Sequence, residues 1–260
     1  MDGTKIGYTI TGSGPGLVVV HGNASSSDDW APVARLLGDS LTVYCMDRRG
    51  RGLSGPQGEG YNSEREREDI QAVMRHTQSG FLFGHSYGAL MAIGVARGPL
   101  DSGLKKLALY DPPLFAAEPI RRLMPSFKEA MARSDYVQAY LALITGLGVL
   151  HGFTIEQFQW YLENQLKPSP AWPRIIQFLE ATENEAAEAA KFPPQVDALE
   201  RFQTLLILGS DSPPFIQDSA RFILKHLPSA TKVILQGQGH MAQAEAPELL
   251  AEALKTFFGR

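Results

Sequence analysis

Short apolar runs alternate with stretches of helical periodicity along most of the chain. The apolar runs, each bounded by turn residues, lie at residues 5–11, 17–20, 41–46, 81–83, 107–110, 204–210 and 231–235. Helical periodicity covers residues 29–37, 63–77, 89–97, 215–226 and 247–258. Apolar strands separated by helices are typical of a parallel sheet that is covered by helices on both faces. We therefore predict an α/β fold with a doubly wound, mostly parallel sheet.

The first two strands are predicted to form a hairpin. Residues 5–11 and 17–20 flank the turn Gly12-Ser13-Gly14-Pro15-Gly16, and a short glycine-rich turn between two strands is typical of a hairpin. The same glycines do not match a dinucleotide-binding loop. Leu17 stands where a third glycine would be required, and a strand rather than a helix follows.

The alternation of strands and helices stops in the middle of the chain. Helical periodicity continues there and is interrupted by prolines. We predict a helical insertion at residues 113–194 into an α/β core that is formed by residues 1–112 and 195–260. The insertion contains eleven of the chain's 24 aromatic residues. A small helical unit needs most of them for its own core, and we expect others to line an apolar pocket.

The most specific local motif is Gly84-His85-Ser86-Tyr87-Gly88, which lies between an apolar run and a helix of small residues. This arrangement is typical of a tight strand-to-helix turn, in which the two glycines remove side chains that would collide. Ser86 is then exposed at the N-terminus of a helix, where free N–H groups favour negative charge. We predict that Ser86 is a nucleophile; the alternative is an ordinary glycine-rich turn.

A serine nucleophile needs a base and an acid that orients the base. His240 has the best context of the six histidines, since it follows residues 231–235 on a glycine-rich loop. Asp211 and Asp111 both follow predicted strands. Both would therefore lie at the carboxyl edge of the sheet, where ligands bind. We prefer Asp211 as the acid, and interpret Asp111 as a cap of the turn into Pro112-Pro113.

Hydrolysis by a serine also requires hydrogen-bond donors for an oxyanion, and removing one donor typically lowers the rate about a hundred- to thousandfold. The backbone N–H of Tyr87, directly after the nucleophile, is predicted to be one donor. The other is expected in the turn after residues 17–20, which reads His21-Gly22-Asn23-Ala24. The N–H of Asn23 is preferred there, with that of Ala24 as the alternative.

Together these motifs resemble the α/β-hydrolase superfamily over essentially the whole chain. The resemblance is carried, in family order, by His21-Gly22, Asp28-Asp29-Trp30, residues 47–55, the Ser86 motif, Asp211 and Gly239-His240. It implies an α/β-hydrolase fold whose helical insertion is a cap over the active site. It also implies Ser86 as nucleophile, His240 as base, Asp211 as acid, and Asn23 and Tyr87 as oxyanion donors. Neither a metal nor an organic cofactor is implied.

The chain departs from the family pattern in two places. It begins at Met1-Asp2-Gly3-Thr4, so we expect the usual leading strand to be missing or very short. The turn at Asn23 is similar to that of haloalkane dehalogenases, but those enzymes have an aspartate nucleophile, and Ser86 argues against their chemistry. We interpret Arg48, Arg49 and Arg51 as a structural turn, with binding of a substrate anion as the alternative.

Composition is near the globular average, with 44% hydrophobic and 20% charged residues. A net charge of −4 gives no reason to expect a nucleic-acid partner. No apolar run approaches the ~20 residues of a membrane span, and the N-terminus lacks the pattern of a signal peptide, so the default expectation is the cytoplasm. The single cysteine, Cys45, is predicted to be a small core residue that forms no intramolecular disulfide.

We therefore expect a serine hydrolase with a small-molecule substrate, a small to medium and largely apolar carboxylic ester, with a lactone close behind. Cleavage of a C–C bond, acyl transfer and cofactor-free perhydrolysis are alternatives on the same residues. From a different class, a ligand-sensing receptor with little turnover is also an alternative, since a fold can persist without its chemistry.

Overall fold

In the computed structural model, residues 2–99 and 103–259 are described. The strands are β1 (Tyr8–Thr11), β2 (Gly16–Val20), β3 (Thr42–Met46), β4 (Phe81–His85), β5 (Lys106–Tyr110), β6 (Gln203–Gly209) and β7 (Thr231–Leu235). They form one sheet in the order β1-β3-β2-β4-β5-β6-β7. β1 is antiparallel to β3, and the other neighbouring pairs are parallel. The predicted mostly parallel α/β sheet is therefore confirmed.

The helices fall into a core set and an inserted set. The core helices are α1 (Ala31–Leu37), α2 (Ser63–Thr77), α3 (Tyr87–Arg97), α8 (Pro214–His226), α9 (Ala242–Glu245) and α10 (Pro247–Phe258). The inserted helices are α4 (Ala117–Ala132), α5 (Tyr136–Leu147), α6 (Ile155–Tyr161) and α7 (Trp172–Lys191). None of the helices in the described part of the chain is long and apolar enough to cross a membrane.

The side chains of β2 show why helices cover both faces of the sheet. Val18 and Val20 are buried in the cluster that includes residues of α2, α3 and α8. Leu17 and Val19 are buried in the opposite cluster, with residues of α1 and α10. Because successive side chains point to opposite faces, a strand without polar residues is stable only between two helical layers.

The predicted hairpin between the first two strands is wrong. β1 pairs with β3, with Tyr8 opposite Met46, whereas β2 lies between β3 and β4. The glycine-rich turn leads the chain across the start of β3, where the N–H of Thr42 donates to the carbonyl oxygen of Pro15 at 3.0 Å. Since β2 is buried on both faces, it takes a central position, and the half-buried β1 remains at the edge.

The four inserted helices lie between β5 and β6, and residues 113–194, all of which are described, contain no strand. Their inner side chains form a separate hydrophobic cluster in which Phe127 and Phe178 are fully buried. These helices are called the helical insertion below. Its exact domain boundaries at residues 113 and 194 stay a prediction.

The structure predicts that Cys45 on β3 is unreactive in the folded protein. Cys45 is 1% exposed, and burial raises the pKa of its thiol to about 12. Because the thiolate is the reactive form, we expect iodoacetamide at about pH 8 to modify Cys45 only after unfolding in urea. Mass spectrometry of native and urea-treated samples measures this difference. Rapid alkylation of the native protein would contradict the packing of β3.

Candidate active site

Ser86 lies at a sharp turn between β4 and α3. Its backbone has φ 54° and ψ −125°, a conformation that residues other than glycine rarely adopt and that stores strain. The flanking glycines are sterically required. A Cβ at Gly84 would lie 2.5 Å from the carbonyl oxygen of Gly88, and a Cβ at Gly88 would collide with the carbonyl oxygen of Val20. The predicted strand–turn–helix motif is thus present, and Ser86 lines a cavity beyond the sheet edge.

His240 follows β7 on its loop and lines the same cavity as Ser86. Its Nδ1 lies 2.9 Å from Oδ2 of Asp111. An ionised carboxylate can only accept a hydrogen bond, so Nδ1 carries the proton in this pair. The other ring nitrogen, Nε2, then has the free lone pair that a general base needs.

The structure pairs His240 with Asp111, which corrects the preference for Asp211 as its partner. Asp111 is 0% exposed, and its carboxylate also accepts hydrogen bonds from the Gly209 N–H at 3.2 Å and the Ser212 hydroxyl at 2.5 Å. The side chain of Asp211 is 50% exposed, and its Oδ2 lies 3.4 Å from Nε2 of a different histidine, His151.

The end of β6 and the loop that follows it explain why His240 pairs with Asp111 and not with Asp211. Gly209, the last residue of β6, and Ser212 in the following loop provide donors to Asp111, while the N–H of Asp211 donates to the carbonyl oxygen of Gln238 at 3.0 Å. This segment was expected to supply the partner of His240, Asp211. It instead supplies hydrogen bonds to Asp111. Both aspartates follow apolar strands, so no local signal in the sequence separates them.

Two buried aromatic side chains hold the His240 loop, and no local pattern in the sequence indicates this role for either of them. His85 Nε2 donates to the backbone oxygen of His240 at 2.9 Å, and the Tyr110 hydroxyl donates to that of Gly239. Burial lowers the pKa of His85 well below its usual value, so its ring is neutral. His85, inside the Ser86 motif, and Tyr110, directly before Asp111, are thus both hydrogen-bonded to the loop that carries His240.

The turn His21-Gly22-Asn23-Ala24 lies directly beside Ser86. A Cβ at Gly22 would be 2.8 Å from the Cβ of Ser86. The side chain of Asn23 is already occupied, since its Nδ2 donates to Glu185 at 2.7 Å and its Oδ1 accepts from Thr182 at 3.2 Å. The backbone N–H of Asn23 remains the candidate donor. Tyr87 is the first residue of α3, so its N–H has no acceptor within the helix.

Four buried charged side chains lie behind this turn. Arg48 contacts Glu66 at 2.9 Å and Glu185 at 2.7 Å, and Arg51 contacts the other oxygen of Glu185 at 2.7 Å. Burial alone would raise the pKa of Glu185, but the positive charges of Arg48 and Arg51 outweigh it and lower the pKa. Both arginines are paired with carboxylates instead of being open to a substrate anion, as expected for a structural turn.

The cavity beside Ser86 has a volume of about 60 Å³ and mostly apolar walls. The helical insertion contributes aliphatic side chains such as Ile120, Leu143 and Leu147. The expectation that aromatic residues of the insertion line the pocket is wrong for this cavity. Phe127 and Phe178 pack inside the insertion instead. The reason is that a helical unit as small as the insertion needs these large side chains for its own core.

The described residues that line the cavity carry little charge. Glu185 is the one carboxylate among them, and the lining contains neither lysine nor arginine. Within residues 2–99 and 103–259, no group of three or more His, Cys, Asp or Glu side chains is arranged to hold a metal ion.

The chain is similar to one known protein family and to curated proteins. The model of the alpha/beta hydrolase family matches residues 17–253. The N-formylmaleamate deformylase of Pseudomonas putida is 40% identical over 119 residues, which are 44% of this chain and 43% of that protein. The 2-(acetamidomethylene)succinate hydrolase of Mesorhizobium japonicum is 24% identical over 95% of this chain and 88% of that protein.

Solved structures show the same fold over nearly the full length. An alpha/beta hydrolase from Sphaerobacter thermophilus superposes with a TM-score of 0.81 and is 28% identical, covering 99% of this chain and 97% of its own.

The contacts of His240 predict opposite behaviour for the two aspartates. We expect Asp111→Asn to slow the reaction of Ser86 with a fluorophosphonate by about a hundred- to ten-thousandfold, because an amide favours the wrong imidazole tautomer. Asp211→Asn is the matched control and should change the rate less than about threefold, since its side chain is exposed. The rates of fluorophosphonate labelling, measured by mass spectrometry, show which of the two aspartates supports the reaction of Ser86. A large loss in Asp211→Asn alone would overturn the assignment of Asp111.

Proposed function

Because the chain belongs to the alpha/beta hydrolase family, we propose that it is a serine hydrolase that cleaves a carboxylic ester, or a lactone, through an acyl-enzyme on Ser86. The observation that carries the proposal is the contact of His240 Nδ1 with the buried Asp111, beside a cavity that both His240 and Ser86 line. A serine hydroxyl is a weak nucleophile without such a base.

The reaction follows from the protons and lone pairs of these groups. Nε2 of His240 takes the proton from Ser86 Oγ as this oxygen attacks the acyl carbon, and the N–H groups of Asn23 and Tyr87 bind the oxyanion. His240 then gives the proton to the leaving alcohol, and an acyl-enzyme remains. Water then attacks the acyl carbon as Nε2 takes one of its protons. His240 returns this proton to Ser86 Oγ as the bond between Oγ and the acyl carbon breaks, which releases the acid and restores Ser86. Asp111 holds the imidazole in the required tautomer throughout.

The cavity supports a short and uncharged acyl group. An engineered apolar cavity of about 150 Å³ holds benzene, so the volume of about 60 Å³ here corresponds to a few carbon atoms. The two curated relatives are named for a maleamate and a succinate, which are carboxylates. The wall of this cavity carries Glu185 and, among its described residues, no cationic side chain. We infer a neutral substrate, with the helical insertion as the cap of its pocket.

Ester hydrolysis should depend on Ser86. We expect the wild-type protein to turn over p-nitrophenyl acetate, and Ser86→Ala to lower kcat by at least about a thousandfold, because the acyl-enzyme can no longer form. Release of p-nitrophenol measures both rates. Equal turnover by the two proteins would contradict the proposed mechanism. Reaction of wild type with a single equivalent of ester, without further turnover, would favour a receptor instead.

The wall of the cavity should limit the length of the acyl group. We expect kcat/KM for p-nitrophenyl octanoate to be below that for the acetate, and Leu147→Ala to raise the octanoate-to-acetate ratio about tenfold by opening the wall. Leu141→Ala is the matched control, because Leu141 lies on the same helix but packs in another cluster, away from the cavity. The same shift in both variants, or in neither, would contradict this assignment of the acyl pocket.

A further inference from the structure

Glu185 reaches from helix α7 of the helical insertion into the wall of the active-site cavity. It is 1% exposed and lies beside Asn23 in that wall. Its Oε2 accepts a hydrogen bond from Asn23 Nδ2 at 2.7 Å. The mechanism proposed above gives Glu185 no chemical step, although its side chain lines the cavity beside Ser86.

Helix α7 holds the side chain of Asn23 at both ends. Glu185 accepts from its Nδ2, and the hydroxyl of Thr182, one turn earlier on α7, donates to its Oδ1 at 3.2 Å. The next residue, Ala24, has φ 50°, a left-handed backbone that is sparsely populated by residues with a side chain. The turn that carries the Asn23 N–H is thus kept in an unfavourable conformation by contacts from another part of the chain.

The position of Glu185 is itself set by the core. Arg48 and Arg51 each contact one of its oxygens at 2.7 Å. The guanidinium of Arg48 also donates to the carbonyl oxygen of Gly22 at 3.2 Å, which belongs to the same turn as Asn23. Glu185 therefore joins the turn at residues 21–24, the two buried arginines and the helical insertion in one network.

We propose that Glu185 is a positioning residue, through which the docked helical insertion aims the backbone N–H of Asn23 at the oxyanion. The cap then completes the catalytic site in addition to covering it. This inference rests on the proposed function, because it assigns Glu185 to the serine hydrolase reaction of that same cavity.

The first test compares two carboxylates of α7. Glu185→Gln keeps the side-chain volume but removes the charge that holds Arg48 and Arg51. We expect kcat for p-nitrophenyl acetate to fall about ten- to hundredfold, with KM changed less than about threefold, because an oxyanion donor acts mainly in the transition state. Glu188→Gln is the matched control. Glu188 accepts from the N–H and hydroxyl of Ser63 at 3.1 and 2.9 Å, outside the cavity wall, and its loss should leave kcat unchanged.

A second variant keeps the test valid if Glu185→Gln does not fold. Thr182→Val removes the other hydrogen bond to Asn23 and the bond of the same hydroxyl to the carbonyl oxygen of Phe178 at 2.9 Å, and it leaves the contacts of Glu185 with both arginines in place. We expect it also to lower kcat with little change in KM. Unchanged kcat in Thr182→Val, or equal losses in Glu185→Gln and Glu188→Gln, would overturn the proposal.

A double-mutant cycle separates positioning from a purely structural role. Asn23→Ala keeps the backbone N–H but removes the side chain that α7 holds. If Glu185 acts through that side chain, adding Glu185→Gln to Asn23→Ala should lower kcat by less than about threefold more. If the two losses multiply instead, Glu185 acts independently of Asn23 and the inference fails.

Wild type and Ser86→Ala are assayed beside these variants. Turnover that does not depend on Ser86 overturns the proposed function itself, whereas Ser86-dependent turnover with unaffected Glu185 and Thr182 variants overturns only the inference.

Discussion

The buried carboxylate of Asp111 joins the parts of the protein that must meet to form the site. Its three donors are the N–H of Gly209 at the end of β6, the hydroxyl of Ser212 in the following loop, and Nδ1 of His240 after β7. These partners lie 98 to 129 positions away along the chain. An unpaired buried carboxylate costs several kcal/mol. The segments that follow β5, β6 and β7 are therefore held in one arrangement whenever the chain is folded.

The residue before Asp111 provides the remaining links at the same edge of the sheet. The carbonyl oxygen of Tyr110 accepts a hydrogen bond from the N–H of Ser86 at 3.0 Å. The Tyr110 hydroxyl contacts Gly239, which precedes His240, and Ala242, which follows it. Tyr110 and Asp111, at the end of β5, thus hold both the strained turn at Ser86 and the loop of His240. A site that is held by the end of a central strand is positioned more precisely than one built on loops alone.

The helical insertion is joined to the core by charge as well as by apolar contacts. Buried ion pairs stabilise a fold little compared with apolar residues of the same size, because desolvation offsets their attraction. Their geometry is nevertheless restrictive. Glu185 contacts Arg48, Arg51 and Asn23 together, and these three contacts restrict the placement of α7. Hydrogen bonds depend on direction, so they fix the position of a helix more narrowly than an apolar interface does.

Local patterns along the chain were enough to predict the features that depend on neighbours in sequence. The apolar runs predicted the parallel sheet, and the two glycines predicted the turn at Ser86. The glycine-rich loop after residues 231–235 predicted that His240 lies near Ser86. Each of these follows from backbone sterics or from the periodicity of side chains over a few residues. The end of the strand–helix alternation predicted the helical insertion, and the family resemblance implied its role as a cap.

The tertiary structure decided the features that depend on distances between remote segments. Asp111 and Asp211 satisfy the same chemical rule, since each follows an apolar strand, and only the order of the strands and the shape of their loops brings Asp111 to His240. Strand pairing likewise placed β1 beside β3, although the short turn between β1 and β2 favoured a hairpin of these two strands. The contact between Glu185 and Asn23 spans 162 positions. No local pattern specifies a separation of about 3 Å between such residues, because it results from the packing of the whole chain.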